Sequence, residues 1–172
     1  LYDGTNWTEV NDLATARSRP GPIGTSTASL AVGGNTPPVT NAVESWDGSS
    51  WTEIAEINTA RMFGGAAGIQ TAGLFFGGES TTVHADTESW NGTAWTEVNN
   101  LNTGRGELSG TGITTAALAV GSGTNVEQWD GSNWTAKTGI NTGRAQLVTV
   151  GSTTAALAFG GETSPVTADS ET

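Results

Sequence analysis

The sequence contains no cysteine and very few basic residues. Without any Cys among its 172 residues, the chain has no disulfide framework and no thiolate for metal binding or catalysis. Six Lys and Arg residues stand against 17 Asp and Glu, a net charge of −11. Nucleic-acid binding needs clusters of Lys and Arg to neutralise phosphates, so this balance argues against nucleic acid as a partner. It also disfavours anionic membrane surfaces.

Long apolar runs are also missing from the sequence. No segment approaches the ~20 apolar residues of a membrane-spanning helix, and no charged stretch followed by an apolar one marks a signal peptide. Glycine is abundant instead, at 25 residues, which indicates many tight turns. The thiol-free, lysine-poor, Thr- and Gly-rich composition is typical of extracellular, cell-surface or virion proteins, and we expect such a location.

Four features recur along the chain in one register. They are two aromatic residues that flank an Asp-Gly or Asn-Gly, an arginine that follows them, and a glycine that ends an apolar run. Each recurs at steps of 44, 44 and 39 residues, which divides one domain into repeat units 1–44, 45–88, 89–127 and 128–172. The aromatic positions are Tyr2, Trp7, Trp46, Trp51, Trp90, Trp95, Trp129 and Trp134, and the arginines are Arg17, Arg61, Arg105 and Arg144.

Each unit predicts about four short antiparallel strands. Runs such as 28–32 and 116–120 are apolar, only about five residues long and closed by Gly, which favours strands over helices. The preceding segments, such as 62–69, are rich in small residues, and the aromatic pair around Asp-Gly predicts a hairpin. A unit of about 44 residues cannot bury both faces of its sheet alone, so we expect the units to stack around an axis.

The order of these features resembles the kelch repeat. In that family an apolar strand ends in Gly-Gly, and a variable loop, an aromatic, a Trp and an Arg follow before a small-residue strand. The Gly-Gly pairs here begin at Gly33, Gly77 and Gly160, whereas the third unit departs with Gly121-Ser122-Gly123. The resemblance covers essentially the whole chain and implies an all-β, kelch-like β-propeller with blades of four short strands. It implies no definite activity.

The repeat register leaves one blade divided between the two ends of the sequence. Leu1 occupies the position of Ser45 and Thr172, so the sequence starts within an aromatic hairpin and stops where an aromatic residue is due. We expect the N-terminal hairpin, of the same or a neighbouring chain, to complete the terminal blade, since exposed strand edges are normally covered. Three arrangements satisfy this expectation: a closed four-bladed ring, copies joined head to tail into a larger ring or fibre, or a window of a longer repeat array.

A periodic acidic residue is available to each recurrent arginine. These residues are Glu44, Glu88, Glu127 and Glu171. Sialidase propellers gather arginines to clamp a carboxylate, whereas an Arg–Glu bond repeated in every blade braces the structure. We expect the structural brace, and we likewise expect the tryptophans to pack between blades rather than to stack on sugars.

The sequence predicts no catalytic, metal-binding or cofactor-binding residues. A copper site of the galactose-oxidase kind needs Tyr, His and Cys ligands, and Cys is absent. His84 is the single histidine; we interpret it as a solvated loop residue with no nucleophile near it, which leaves no Ser-His-Asp set. The Asp-Gly turns lack the alternating oxygen ligands of a calcium loop.

Two further surface features are predicted. Asn-x-Thr sequons at Asn6, Asn91 and Asn133 lie in hairpin turns, where an N-linked glycan would be exposed. The loops 35–43, 79–87, 122–126 and 162–170 differ in length and sequence, and a propeller would carry recognition there. The function expected from the sequence is a non-enzymatic structural or adhesive module that assembles through its termini. The alternatives are a lectin-like propeller that binds glycans and a catalytic propeller of the sialidase type.

Overall fold

The computed structural model describes residues 1–163 and 170–172. These residues form four small antiparallel sheets in the order of the chain. The first sheet contains β1 Gly21–Gly24, β2 Ser29–Val32, β3 Val43–Trp46 and β4 Trp51–Ile54. The second contains β5 Gly65–Ile69, β6 Ala72–Phe76, β7 Thr87–Trp90 and β8 Trp95–Val98. The third contains β9 Leu108–Ile113, β10 Ala116–Gly121, β11 Val126–Trp129 and β12 Trp134–Ala136, and the fourth β13 Val148–Ser152, β14 Ala155–Phe159 and β15 Ser170–Glu171.

The four sheets are arranged as the blades of a four-bladed β-propeller. Each sheet is an antiparallel meander, and the first strands of the blades pack against each other in the order β1, β5, β9, β13. The prediction of an all-β propeller is therefore confirmed at the level of architecture. Small residues permit the close approach of the inner strands: a Cβ on Gly110 of β9 would lie 2.4 Å from the Ala66 carbonyl oxygen of β5.

The aromatic hairpins form because the side chain of the first turn residue accepts the backbone N–H groups of the turn. The Asp47 Oδ1 atom accepts the backbone N–H groups of Ser49 and Ser50, both at 2.8 Å, and Gly48 adopts a left-handed φ of 98°. Asp and Asn favour this turn through side-chain bonds of this kind, and glycine reaches φ above zero without a steric penalty. The turn brings Trp46 and Trp51 directly opposite each other in the sheet.

The hydrophobic core lies between successive blades. Trp90 and Trp95 of the second blade pack with Leu30, Val32 and Val43 of the first. In the same way Trp129 and Trp134 of the third blade pack with residues of the second. Each buried tryptophan pair thus fixes its own blade to the preceding one, as the sequence predicts for the repeat aromatics.

The last blade departs from the expectation of four strands. Its sheet has three strands, and the hairpin of Tyr2 and Trp7 forms a separate bridge instead of adding a fourth. The segment that follows this hairpin lies beside the first blade, where Asn11 Nδ2 donates a hydrogen bond to the Ser49 carbonyl oxygen at 2.7 Å. Of the two expected sources of the fourth strand, the hairpin of the same chain does not supply it. Among the described residues no helix is long and apolar enough to cross a membrane.

Candidate functional site

The four recurrent arginines lie inside their blades, each next to the glutamate of the same blade. Arg61 and Glu88 are the clearest case, with 2.7 Å between Nη1 and Oε1 and with both side chains almost fully buried. The other ion pairs are Arg17–Glu44, Arg105–Glu127 and Arg144–Glu171, with the last and longest at 3.5 Å. A guanidinium already committed to a buried carboxylate is not available to clamp the carboxylate of a substrate.

A second set of contacts makes the glutamates the centres of these braces. In the second blade Glu88 Oε2 accepts the backbone N–H of Asn58 at 2.8 Å. The N–H groups of Ala14, Asn102 and Asn141 donate to their own glutamates in the same way. One carboxylate therefore joins the connection that enters the blade to the third strand of the blade.

The second aromatic residue of the hairpins becomes steadily less exposed along the repeats. At the second aromatic position, Trp7 is 82% exposed, Trp51 is partly exposed, and Trp95 and Trp134 are only 7% and 5% exposed. At this position a tryptophan is fully covered only when a blade precedes it, whereas Trp46, at the first aromatic position, is only 3% exposed in the first blade. Trp7 and the half-exposed Tyr2 have no such cover in one chain.

The interface between the third and fourth blades lacks a tryptophan pair and contains a cavity. This space of about 340 Å³ is lined by Val120 and Val126 of the third blade and by Ala156 and Ala158 of the fourth. At the interface between the second and third blades, Phe76 stands at the repeat position of Val120 and Thr87 at that of Val126. Both of these residues contact Trp134. The ring of Phe76 lies 4.7 Å from the ring of Trp134, and Thr87 Oγ1 accepts the Trp134 indole N–H at 3.0 Å. The cavity therefore lies where the repeat places the second tryptophan of a fourth blade.

The N-terminal hairpin has the shape of the missing element. The Tyr2 and Trp7 ring centres are 5.3 Å apart, against 5.3, 5.3 and 5.4 Å for the three tryptophan pairs. Its turn is closed by Asp3, whose Oδ1 accepts two backbone N–H groups. Thr8 and Leu1 are hydrogen-bonded partners across the hairpin. The hairpin is thus already folded as the outer half of a blade.

His84 is not the solvated, isolated loop residue that the sequence suggests. Its Nε2 atom lies 2.8 Å from Ser80 Oγ and its Nδ1 atom 3.0 Å from Asp86 Oδ2, and its side chain is only 16% exposed. In the tautomer protonated on Nδ1, the imidazole donates to Asp86 and accepts from Ser80. This is the order of contacts in a serine nucleophile, base and orienting acid, so the expectation that no nucleophile lies near His84 is wrong.

Two of the backbone N–H groups around Ser80 already have backbone acceptors. Such catalysis depends on N–H donors that remain free for the developing oxyanion. The N–H of Ser80 donates to the Thr82 carbonyl and that of Glu79 to the Met62 carbonyl, so these two donors are already engaged. The matching loop of the first blade has the equivalent backbone bond, from Thr36 to the Pro38 carbonyl, so this turn forms without a histidine.

A further position, which the sequence analysis missed, lies two residues after each repeat arginine. Arg19, Phe63, Glu107 and Gln146 occupy it, and all four have left-handed φ angles between 53° and 61°. This conformation costs an L-residue about 1–2 kcal/mol, and glycine would avoid that cost. The four side chains border one cavity of about 320 Å³ at the inner strands. Their shared feature is a backbone conformation and not a residue type, so periodicity of composition does not reveal it.

The remaining predicted positions lie at the surface. Asn6, Asn91 and Asn133 are exposed in their turns. The loop predicted at 162–170 falls mostly outside the described residues. Within the described part of the chain, no group of three or more His, Asp or Glu side chains could hold a metal ion.

Comparison with known proteins adds no family to this description. No protein-family model matches the chain, and none of the curated proteins is significantly similar to it.

Proposed function

We propose that the protein is a non-enzymatic structural or adhesive module of the kelch-like type, whose copies join head to tail. In this assembly the N-terminal hairpin of one copy forms the outer part of the last blade of the next. The observation that carries the proposal is the cavity beside Val120 and Val126, which lies at the repeat position of a tryptophan, together with an exposed Trp7 at that same position of the repeat.

The repeat register defines how the hairpin docks. In the first blade β3 pairs with β4 so that Ser45 faces Thr52. By this register we infer that Thr8 of the incoming hairpin lies opposite Thr172, which takes the place of Leu1, and that Trp7 lies between the third and fourth blades. A preformed hairpin loses little conformational freedom on binding, because strand addition then orders few residues.

Contact between different chains is favoured over closure of one chain. The inner strands β1 and β13 are not among the strand pairs in substantial contact, whereas successive inner strands are. An interface between two unlike ends of identical copies leads to a ring when the rotation closes and to a fibre when it does not.

Cysteine cross-linking tests this register in a chain that has no cysteine of its own. We expect the Thr8→Cys/Thr172→Cys variant to form dimers and longer ladders on mild oxidation, because facing strand residues have Cα separations of about 5.5 Å, within disulfide range. Non-reducing electrophoresis and light scattering measure the products. A compact monomer with an internal disulfide, or no cross-link at all, would overturn head-to-tail joining.

Two further variants separate docking from folding. Trp7→Ala should abolish the association and leave the thermal unfolding midpoint of the dilute monomer unchanged, since Trp7 is exposed there. Ile113→Ala is the matched control, because Ile113 is also exposed, at 56%, but lies on the third blade. Association that survives Trp7→Ala would contradict the proposed contact.

The absence of enzymatic activity belongs to the same proposal. Its support is that all four repeat arginines are engaged by glutamates and that the N–H groups of Glu79 and Ser80 already have backbone acceptors. A fluorophosphonate probe, which labels activated serines, should not modify the protein. Labelling that disappears in Ser80→Ala would show instead that this loop is catalytic. An extracellular, cell-surface or virion location, with glycans at Asn6, Asn91 or Asn133 in a glycosylating host, completes the proposal.

A further inference from the structure

The cavity at the inner strands brings together two opposite charges that the braces of the blades do not use. Arg19 contacts the Met62 sulfur at 3.8 Å and the ring of Phe63, whose centre lies 4.4 Å from the guanidinium carbon. No described carboxylate forms an ion pair with Arg19, although all four repeat arginines have one. Arg19 is an exposed residue, and the N–H groups of its guanidinium can donate to an anion.

The opposite charge in the same cavity belongs to Glu107. Its Oε1 atom accepts an amide N–H from Gln146 at 3.0 Å, and no described cation forms an ion pair with it. The backbone of Gln146 also donates to the Glu107 carbonyl oxygen, at 2.8 Å. This carboxylate is therefore positioned by a neutral neighbour and retains its negative charge for a partner.

Apolar groups line the same cavity as the two charges. Phe63, Leu108, Pro22 and Val148 border the same space. Its volume of about 320 Å³ is at the lower end of the range of small-molecule sites. All four repeat positions at this cavity carry a side chain in the left-handed region, and strained residues of this kind cluster at ligand clamps.

We propose that this cavity binds a small zwitterion with an apolar side chain, such as a free amino acid. Arg19 binds the carboxylate through its planar pair of N–H donors. Glu107 accepts from the ammonium group, and the apolar side chain packs against Phe63 and Leu108. The head-to-tail contact uses a different part of the fourth blade, its open edge at Glu171 and Thr172.

Three related probes test each charge separately. L-Leucine carries both charges, leucinamide only the ammonium, and N-acetyl-leucine only the carboxylate. Chemical-shift titration should show the tightest binding for L-leucine and at least about tenfold weaker binding for the other two, because a charged hydrogen bond contributes more than the 1.4 kcal/mol that equals tenfold. Equal affinity for all three probes, or no saturable binding of leucine, would overturn the proposal.

Single substitutions assign the charges to residues. Arg19→Gln should remove the preference for L-leucine over leucinamide, and Glu107→Gln the preference for L-leucine over N-acetyl-leucine. Lys137→Gln and Glu97→Gln are the controls, since both residues are exposed and lie on or beside outer strands. Arg19→Lys keeps the charge and should retain part of the preference. Unchanged preferences in the Gln variants with normal unfolding midpoints would refute the assignment, and so would tighter binding of glucose than of leucine.

Discussion

The carboxylate of Asp47 shows how a single turn residue makes a hairpin sensitive to acid. Hydrogen bonds from the backbone of Ser50 and Ser49 favour its charged form and lower its pKa from 3.8 to about 2. The folded pKa is lower than the unfolded one, so the stabilisation is complete above pH 3.8 and is lost as the pH falls towards 2. The same kind of backbone bond lowers the pKa of Asp3 and Asp130.

Asn91 provides the internal control for this prediction. Its amide oxygen accepts the equivalent two N–H groups and carries no charge to titrate. We expect the Asp47 carboxyl signal in NMR to titrate with a midpoint near its pKa of about 2. Asp47→Asn should keep the turn but flatten part of the acid dependence of stability. A midpoint at the ordinary 3.8 would contradict the role of the turn bonds.

Two buried indole groups in equivalent positions differ in one hydrogen bond. Trp134 Nε1 donates to Thr87 Oγ1, whereas Trp95 Nε1 is buried without an acceptor, and Val43 stands at the repeat position of Thr87. Thr87→Val should therefore destabilise the protein by about 1–3 kcal/mol, the cost of an unsatisfied buried donor. Val43→Thr should stabilise it by up to about 1 kcal/mol. Urea unfolding measures both, and changes of the same sign would refute the explanation.

Within each blade, the buried Arg–Glu pair matters most when only one partner remains. Arg61→Met leaves Glu88 charged and buried, which should cost about 3–5 kcal/mol of unfolding free energy. The double variant Arg61→Met/Glu88→Leu should recover much of that loss, because no charge is then buried without a partner. Chemical denaturation of the single and double variants gives the coupling. If the single and the double variant lose the same unfolding free energy, the Arg–Glu pair stabilises the blade only through packing.

The fourth blade supplies a comparison for this ion pair. Glu171 lies at the open edge with 14% of its side chain exposed, and its contact with Arg144 is longer than the others. Arg144→Met should therefore cost less than Arg61→Met in dilute protein. An equal or greater cost would indicate that the fourth blade is as well packed as the second.

The sequence predicts those features of the blades that recur as the same residue types in every repeat. The arginines, glutamates and tryptophans recur as residue types, so their spacing in the sequence predicts the strands and the hairpins. Arg19, Phe63, Glu107 and Gln146 share only a backbone angle, which composition does not record. Ser80, His84 and Asp86 meet because of the path of a loop, and spacing within an irregular loop does not fix distances. The missing fourth strand depended on where one chain places its first hairpin.

For the whole molecule, the uneven distribution of tryptophans predicts uneven stability. The second blade is covered on both sides, and Leu74, Phe75 and Phe76 of β6 are fully buried. In the fourth blade Val148 and Val150 are each 49% exposed and Phe159 is 37% exposed. Regions with few buried apolar contacts open at lower free energy than the rest of a protein.

Amide hydrogen exchange measures this difference and links it to assembly. In dilute protein, we expect the amides of β13 and β14 to exchange much faster than those of β5 and β6. Raising the protein concentration should slow exchange in β13 and β14, because a docked hairpin stabilises only the folded blade. Trp7→Ala should remove that concentration dependence and leave β5 and β6 unchanged. Exchange in β14 as slow as in β6 in the dilute monomer would show that the last blade is stable without a partner, and the physical reason for joining would then be lost.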